Sequence, residues 1–280
     1  MEVKKITLAL VVLVAVACDK NSGSARKHGD MNITDDKRRF AIDLSLQTRG
    51  GALFVPKTLP KSGAALVIAL HGMGSSGEAF RSRGFDAYAI KHGFIVAYPD
   101  GLNGGWSSHD DNAFFGYIIE GMKRKYDIDE RKVFMTGHSL GAIQCYESAI
   151  ALGGALRAIA PVSSPMSADT VQLTVSLGPQ HRGREATPTR VLVIHSLDDE
   201  VIPYDGKLIG NIYSIKHTLE FWRGVNGCTD EYSEFPCGTG FEGRLWRGER
   251  ADCLLVTRFR GGHSWPSTAT EMITAFFLES

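Results

Sequence analysis

From residue 64 onward, short apolar runs alternate with longer amphipathic stretches. Ala64–Leu70 is apolar throughout, the pattern of a strand covered on both faces. Residues 94–98, 133–136, 158–162, 190–194 and 254–259 read as further strands. Between them, residues 78–92, 113–126, 140–152, 215–225 and 268–278 place apolar side chains at helical spacing; in the second, Phe114, Tyr117, Ile118 and Met122 share a side. Residues 40–46 and 52–55 read as an antiparallel hairpin at a sheet edge, before the alternation begins. Residues 167–189 lack clear periodicity and suit a short helix or an excursion over a site. Strand and helix in turn predict βαβ units, hence an α/β architecture: a mostly parallel central sheet with helices on both faces. In such sheets, sites lie at the carboxyl ends of the strands.

The amino terminus departs from this pattern. Lys4 and Lys5 precede an apolar run over residues 6–17, which is short for a spanning helix and has the form of an export signal. Ala15-Val16-Ala17-Cys18 resembles a bacterial lipoprotein cleavage box, in which Cys18 is the lipidated residue; the alternative is an ordinary signal peptide with an incidental cysteine. Residues 19–38 are mostly polar and suit a flexible tether. The expected organisation is therefore a leader at 1–18, a tether at 19–38 and one catalytic domain at 39–280. The expected location is outside the cytoplasm, on a membrane through Cys18 or secreted.

Composition narrows the chemistry. The 280 residues are 43% hydrophobic and 22% charged with a formal net charge of zero, so no nucleic-acid partner is expected. Nine histidines occur without HExxH or paired CxxC spacing, and no metal site is expected. Export permits disulfides. Cys145 reads as a free core thiol, leaving one bridge expected among Cys228, Cys237 and Cys253 without selecting the pair.

Residues 133–136 lead into Gly137-His138-Ser139-Leu140-Gly141, where the next helix opens. GxSxG alone is a weak pattern, and its setting between strand and helix carries the weight. A serine on such a turn needs small residues on both sides; the turn lifts the hydroxyl clear of the sheet and aims helical N–H groups at a developing oxyanion. The competing reading is an ordinary serine in a tight turn. A nucleophilic serine needs a base and an orienting carboxylate, in the chain order Ser, Asp, His that the α/β-hydrolase fold requires. Asp198 and Asp199 follow one later strand, and His263 follows another, in Gly261-Gly262-His263-Ser264-Trp265-Pro266. His71-Gly72-Met73-Gly74 ends the run from Ala64, where a glycine-bearing loop supplies the second oxyanion donor. Met73 is the expected donor beside Leu140, with Gly74 the nearest substitute. His71 is expected to tie this loop to a neighbouring carbonyl.

His71-Gly72, Tyr98-Pro99-Asp100-Gly101, the GHSLG turn, Val201-Ile202-Pro203-Tyr204, Asn226-Gly227-Cys228 and Gly262-His263-Ser264-Trp265-Pro266 occur in this order. Together, over residues 40–280, they resemble the polyhydroxybutyrate depolymerase and feruloyl or acetylxylan esterase group, similar to carbohydrate esterase family 1, which includes secreted bacterial lipoproteins. The resemblance puts the acid on Asp199, by counting back from Pro203-Tyr204, and leaves Asp198 a solvated or turn-stabilising neighbour. Ser196 stands where the group has glycine, and the lead to His263 is shortened, so cysteine pairing does not carry over. The resemblance also suggests Trp106 and Trp265 as an aromatic wall for an acyl or aryl group, with plain packing as the alternative.

The expected chemistry is ester hydrolysis through an acyl-enzyme, with Ser139, His263 and Asp199 as the triad and no cofactor. Expected substrates are small or oligomeric esters: short-chain, acetyl, feruloyl or hydroxyalkanoate. Solid polyester is disfavoured, since a separate binding module does not fit in this length. Two alternatives stand beside it. One is a serine peptidase of the same fold, disfavoured by the lack of a preceding propeller-like domain; the other is an inactive binding lipoprotein.

Overall fold

A computed structural model describes residues 28–44, 47–168, 170, 186–206 and 212–279. The leader, Cys18 and most of the 167–189 excursion lie outside the described residues. Among the described residues, eleven strands form one sheet: β1 (Met31–Ile33), β2 (Arg39–Leu44), β3 (Gln47–Phe54), β4 (Ala64–Leu70), β5 (Ile95–Pro99), β6 (Ile128–His138), β7 (Ala158–Val162), β8 (Arg190–Ser196), β9 (Ser233–Glu234), β10 (Phe241–Trp246) and β11 (Cys253–Arg258). Their order is β1-β2-β3-β5-β4-β6-β7-β8-β11-β10-β9. The central six, β5-β4-β6-β7-β8-β11, run parallel. β1–β3 at one edge and β10–β9 at the other are antiparallel.

The helices are α1 (Gly77–Phe80), α2 (Phe85–His92), α3 (Ser108–Lys125), α4 (Leu140–Ala151), α5 (Ile215–Asn226) and α6 (Ala269–Leu278). Alternation along β4 divides the core. Leu66, Ile68 and Leu70 join Phe114, Tyr146 and Trp222 under α3, α4 and α5, whereas Ala65, Val67 and Ala69 join Phe85, Ile273 and Phe277 under α2 and α6. On the second face, Phe134 of β6 stacks on Phe277 with ring centroids 4.7 Å apart.

Several boundaries differ from the sequence reading. The helix expected over 78–92 is interrupted at Gly84, whose φ of 90° ends a 3-10 turn and begins α2. α3 begins at Ser108, five residues early, with Asp110 and Asp111 in its first turn facing the positive end of the helix dipole. The sheet reaches into the stretch assigned as tether: β1 pairs with β2, and Met31 is buried beside Gly121. The four described cysteines are free thiols, so the bridge expected among Cys228, Cys237 and Cys253 is not formed. Cys228 Sγ instead donates to the Ala251 carbonyl at 3.5 Å and Cys253 Sγ accepts from Asn226 at 3.3 Å; the proximity of the two thiols lowers that of Cys228 to about 7 and raises that of Cys253. Cys237 lies elsewhere, against Gly243.

Asn226-Gly227-Cys228 is a fastening. Asn226 is fully buried, accepts from the Thr189 N–H at 3.0 Å and donates to the Thr189 carbonyl at 2.7 Å, while Gly227 caps α5 at φ 70°. This holds the helix end to the chain entering β8.

Candidate active site

The chain leaves β4 for β5 on one side and later returns to β6 on the other, so the loops after β4 and β6 diverge. That divergence opens a crevice at the carboxyl ends of the sheet. Ser139 stands there, between β6 and α4, at φ 57° and ψ −119°. Its N–H donates to the Val162 carbonyl at 2.9 Å. The flanking glycines are required by close approach: a Cβ on Gly141 would lie 2.6 Å from the His71 carbonyl oxygen and 2.7 Å from that of Leu70, and one on Gly137 would strike the Gly141 carbonyl.

β8 and β11 are parallel neighbours that end level, with Arg258 opposite Ser196. The loops that follow them bring Asp199 and His263 to the serine. His263 Nε2 is 2.8 Å from Ser139 Oγ, and His263 Nδ1 is 2.8 Å from Asp199 Oδ2. The other carboxylate oxygen of Asp199 accepts from the N–H groups of Val201 and Ile202 at 3.0 and 2.9 Å. Asp199 is buried, with the fully buried His195 Nε2 at 3.6 Å from Oδ2. His195 Nε2 donates to the Ile202 carbonyl at 2.9 Å, bracing the same turn. Asp198 is exposed and makes no part of this chain; it binds the Gly261 and Gly262 N–H groups.

The loop after β4 is held at a second point. His71 Nδ1 donates to the Gly72 carbonyl at 2.7 Å, and Nε2 accepts from Gly101 N–H at 2.9 Å, which fixes the neutral tautomer. Burial lowers the His71 pKa in keeping with that state. The Gly74 N–H is taken by the Gly104 carbonyl at 2.7 Å. Among the described residues, the Met73 and Leu140 N–H groups have no backbone acceptor outside their own elements, and Leu140 opens α4. The Gly74 N–H is thus committed to the loop itself, and the Met73 N–H is not.

The two tryptophans sit behind the site. Trp106 is 9% exposed, donates through Nε1 to the His71 carbonyl at 2.8 Å and packs between His71 and Phe115. Trp265, also 9% exposed, packs on Phe80, Phe85 and His138, and its Nε1 donates to Thr270 at 3.1 Å. The aromatic wall expected of them is corrected to packing: burial takes their faces, and internal acceptors take their N–H groups.

Two residues that the sequence reading passed over belong here. His138 packs against His263 at a tilt, with ring centroids 5.0 Å apart and 41° between the planes, and burial first, then the neighbouring His263, depresses its pKa to about 4. Ser163, at φ 58°, donates to the Ser264 carbonyl at 3.1 Å and holds the loop beyond His263. A histidine inside GxSxG was a visible signal; a lone serine after β7 was none.

No protein-family model matches the chain. A bifunctional acetylxylan esterase/xylanase of Neocallimastix patriciarum is 27% identical over 160 residues, 54% of this chain and 22% of that protein. Poly(3-hydroxyalkanoate) depolymerase C of Paucimonas lemoignei is 26% identical over 148 residues, 48% of this chain and 36% of its own length. A probable feruloyl esterase C of Aspergillus terreus is 29% identical over 150 residues, 50% of this chain and 51% of that protein. The matches thus span about a quarter to a half of these three relatives' own length. In structure, an acetyl xylan esterase from Aspergillus awamori superposes with a TM-score of 0.62 at 20% identity, covering 81% of this chain and 93% of that one. The chain has the α/β-hydrolase fold, and its sequence relatives include proteins named acetylxylan esterase, feruloyl esterase and polyhydroxyalkanoate depolymerase.

Proposed function

We propose that the protein is a serine carboxylic-ester hydrolase acting through an acyl-enzyme. The observation that carries this reading is the unbroken chain from Ser139 Oγ through His263 to Asp199, with 2.8 Å at both links. His263 Nε2 takes the hydroxyl proton as Ser139 Oγ bonds to the ester carbonyl carbon. Asp199 accepts from Nδ1–H, keeping the imidazole in the tautomer whose Nε2 is free to act as base. The backbone N–H groups of Leu140 and Met73 stabilise the tetrahedral oxyanion, and the α4 N-terminus adds its dipole. His263 returns the proton to the departing alcohol. A water then repeats the sequence on the acyl-enzyme and releases the acid. Only Ser139, His263, Asp199 and the two N–H groups act in this scheme.

The names of the relatives favour acetyl, feruloyl or hydroxyalkanoate esters, small or oligomeric, as substrates. Acetyl, butyryl and feruloyl esters assayed side by side distinguish these acyl groups. Ser139→Ala is expected to lose at least about 10³-fold in kcat on whichever is cleaved; wild-type turnover in that variant refutes the reading. The proposed setting is outside the cytoplasm, with Cys18 as lipid anchor. Membrane fractionation of Cys18→Ala against the parent tests the anchor, and retention of both on the membrane contradicts it.

A further inference from the structure

Asp198 is next to the proposed acid in sequence, but its carboxylate serves the backbone of the facing loop. It accepts from Gly261 N–H at 2.9 and 3.1 Å and from Gly262 N–H at 2.9 Å, the two residues immediately before His263. Gly261 and Gly262 have φ of 153° and 56°, a path that other L-residues rarely follow. A Cβ at Gly261 would overlap the Arg258 guanidinium. Arg258 donates to Ser264 Oγ at 3.0 Å, and Ser264 Oγ donates to the Gly261 carbonyl at 2.7 Å.

A glycine pair is the most permissive backbone available, and a base must be held within about 0.5 Å of its productive geometry. Bonds from consecutive N–H groups to one carboxylate fix the Arg260–Gly261 and Gly261–Gly262 peptide planes, just ahead of His263. Bonds to an ionised acceptor are roughly twice as strong as neutral ones. The turn after β8 therefore grips His263 twice: Asp199 holds the ring through Nδ1, and Asp198 holds the backbone that presents it. Because the two carboxylates are adjacent in the chain, ring and backbone are placed relative to one rigid element.

We propose that Asp198 is a positioning residue for His263, clamping Gly261 and Gly262 so that Nε2 meets Ser139. The proposal rests on the reading of Ser139, His263 and Asp199 as the catalytic groups. Asp198 is exposed, so its removal costs little packing and the variants are expected to fold.

The test compares Asp198→Ala and Asp198→Asn with the parent, using kcat and KM on a short-chain ester and amide hydrogen exchange over residues 259–264. Asp198→Ala should lower kcat roughly tenfold or more, at tenfold per 1.36 kcal/mol of lost transition-state stabilisation, with KM within about twofold. Exchange at Gly261 and Gly262 should quicken. Asp198→Asn, which keeps a carbonyl acceptor, should recover most of both. Parental kcat in the alanine variant, unchanged exchange, or a loss confined to KM overturns the proposal. The exchange measurement does not need turnover. If Ser139→Ala keeps activity, the esterase reading fails and the positioning role falls with it; that result is distinct from a failed clamp, which shows as unchanged exchange in an enzyme that still depends on Ser139.

Discussion

Ser139 holds a backbone conformation, φ 57° and ψ −119°, that costs a non-glycine residue about 1–3 kcal/mol. The surrounding structure over-determines it, through the Ser139 N–H bond to Val162 and the glycines on either side. Asp199 is over-determined in the same way, with one oxygen committed to Val201 and Ile202 and the other to His263. Asp199→Asn should therefore leave the turn in place but favour the wrong imidazole tautomer, lowering kcat by about 10³–10⁴. Steady-state kinetics beside Asp198→Asn check this; a larger loss at Asp198 would exchange the two roles. His138 gives a second prediction. Its folded pKa, about 4, lies below the ordinary 6.5, so the unfolded chain binds more protons between those values. The His138 contribution is complete above pH 6.5 and is lost as pH falls toward 4. His71 and His195 are lowered too, chiefly by burial, and act in the same direction. Urea unfolding at several pH values should show His138→Asn losing stability less steeply over that window. At this scale the meeting of Ser139, His263 and Asp199 was legible because each follows a strand in a fixed order. The tryptophans were misread because proximity to a strand end does not say which way a ring faces.

The β6-turn-α4 unit carries most of the site, and Gly141 is the residue on which its approach to β4 depends. An added methyl meets backbone oxygens of Leu70 and His71, which cannot swing aside as a side chain could. Gly141→Ala should lose about 1–3 kcal/mol of stability, as overpacking does, and shift the loop bearing Met73. A lowered thermal midpoint together with reduced kcat is the expected result; a variant matching the parent in both would refute the close approach. The central strands were readable from apolar runs because they are covered on both faces. β9 and β10 were not: β9 has two exposed residues, and β10 is only partly buried, without alternation. The first part of β6, 128–132, is largely charged after Ile128 and is set off by a bulge from the pairing that resumes at Val133, so it had no apolar signature. Gly84 was passed over because one glycine is compatible with a helix until its φ is known.

Across the whole molecule, the switch in strand order assembles groups from four separate loops. Met73 comes from after β4, Ser139 from after β6, Asp199 from after β8 and His263 from after β11. Helices on both faces bury the sheet, while Ser139 and His263 beyond its carboxyl edge stay partly exposed. The parallel core and this edge follow from the periodicity of the sequence. The β2–β3 hairpin was also expected at the edge, whereas the β10–β9 margin, the early start at β1 and the Cys228–Cys253 proximity arise from long-range pairing that no local pattern encodes. The most direct test of the account is labelling of the folded protein with a fluorophosphonate probe, followed by peptide mass analysis. The account predicts one phosphonylated residue, Ser139, with labelling abolished in Ser139→Ala and strongly slowed in His263→Ala. An unlabelled parent protein, or adduct on another serine with Ser139 unmodified, would contradict it.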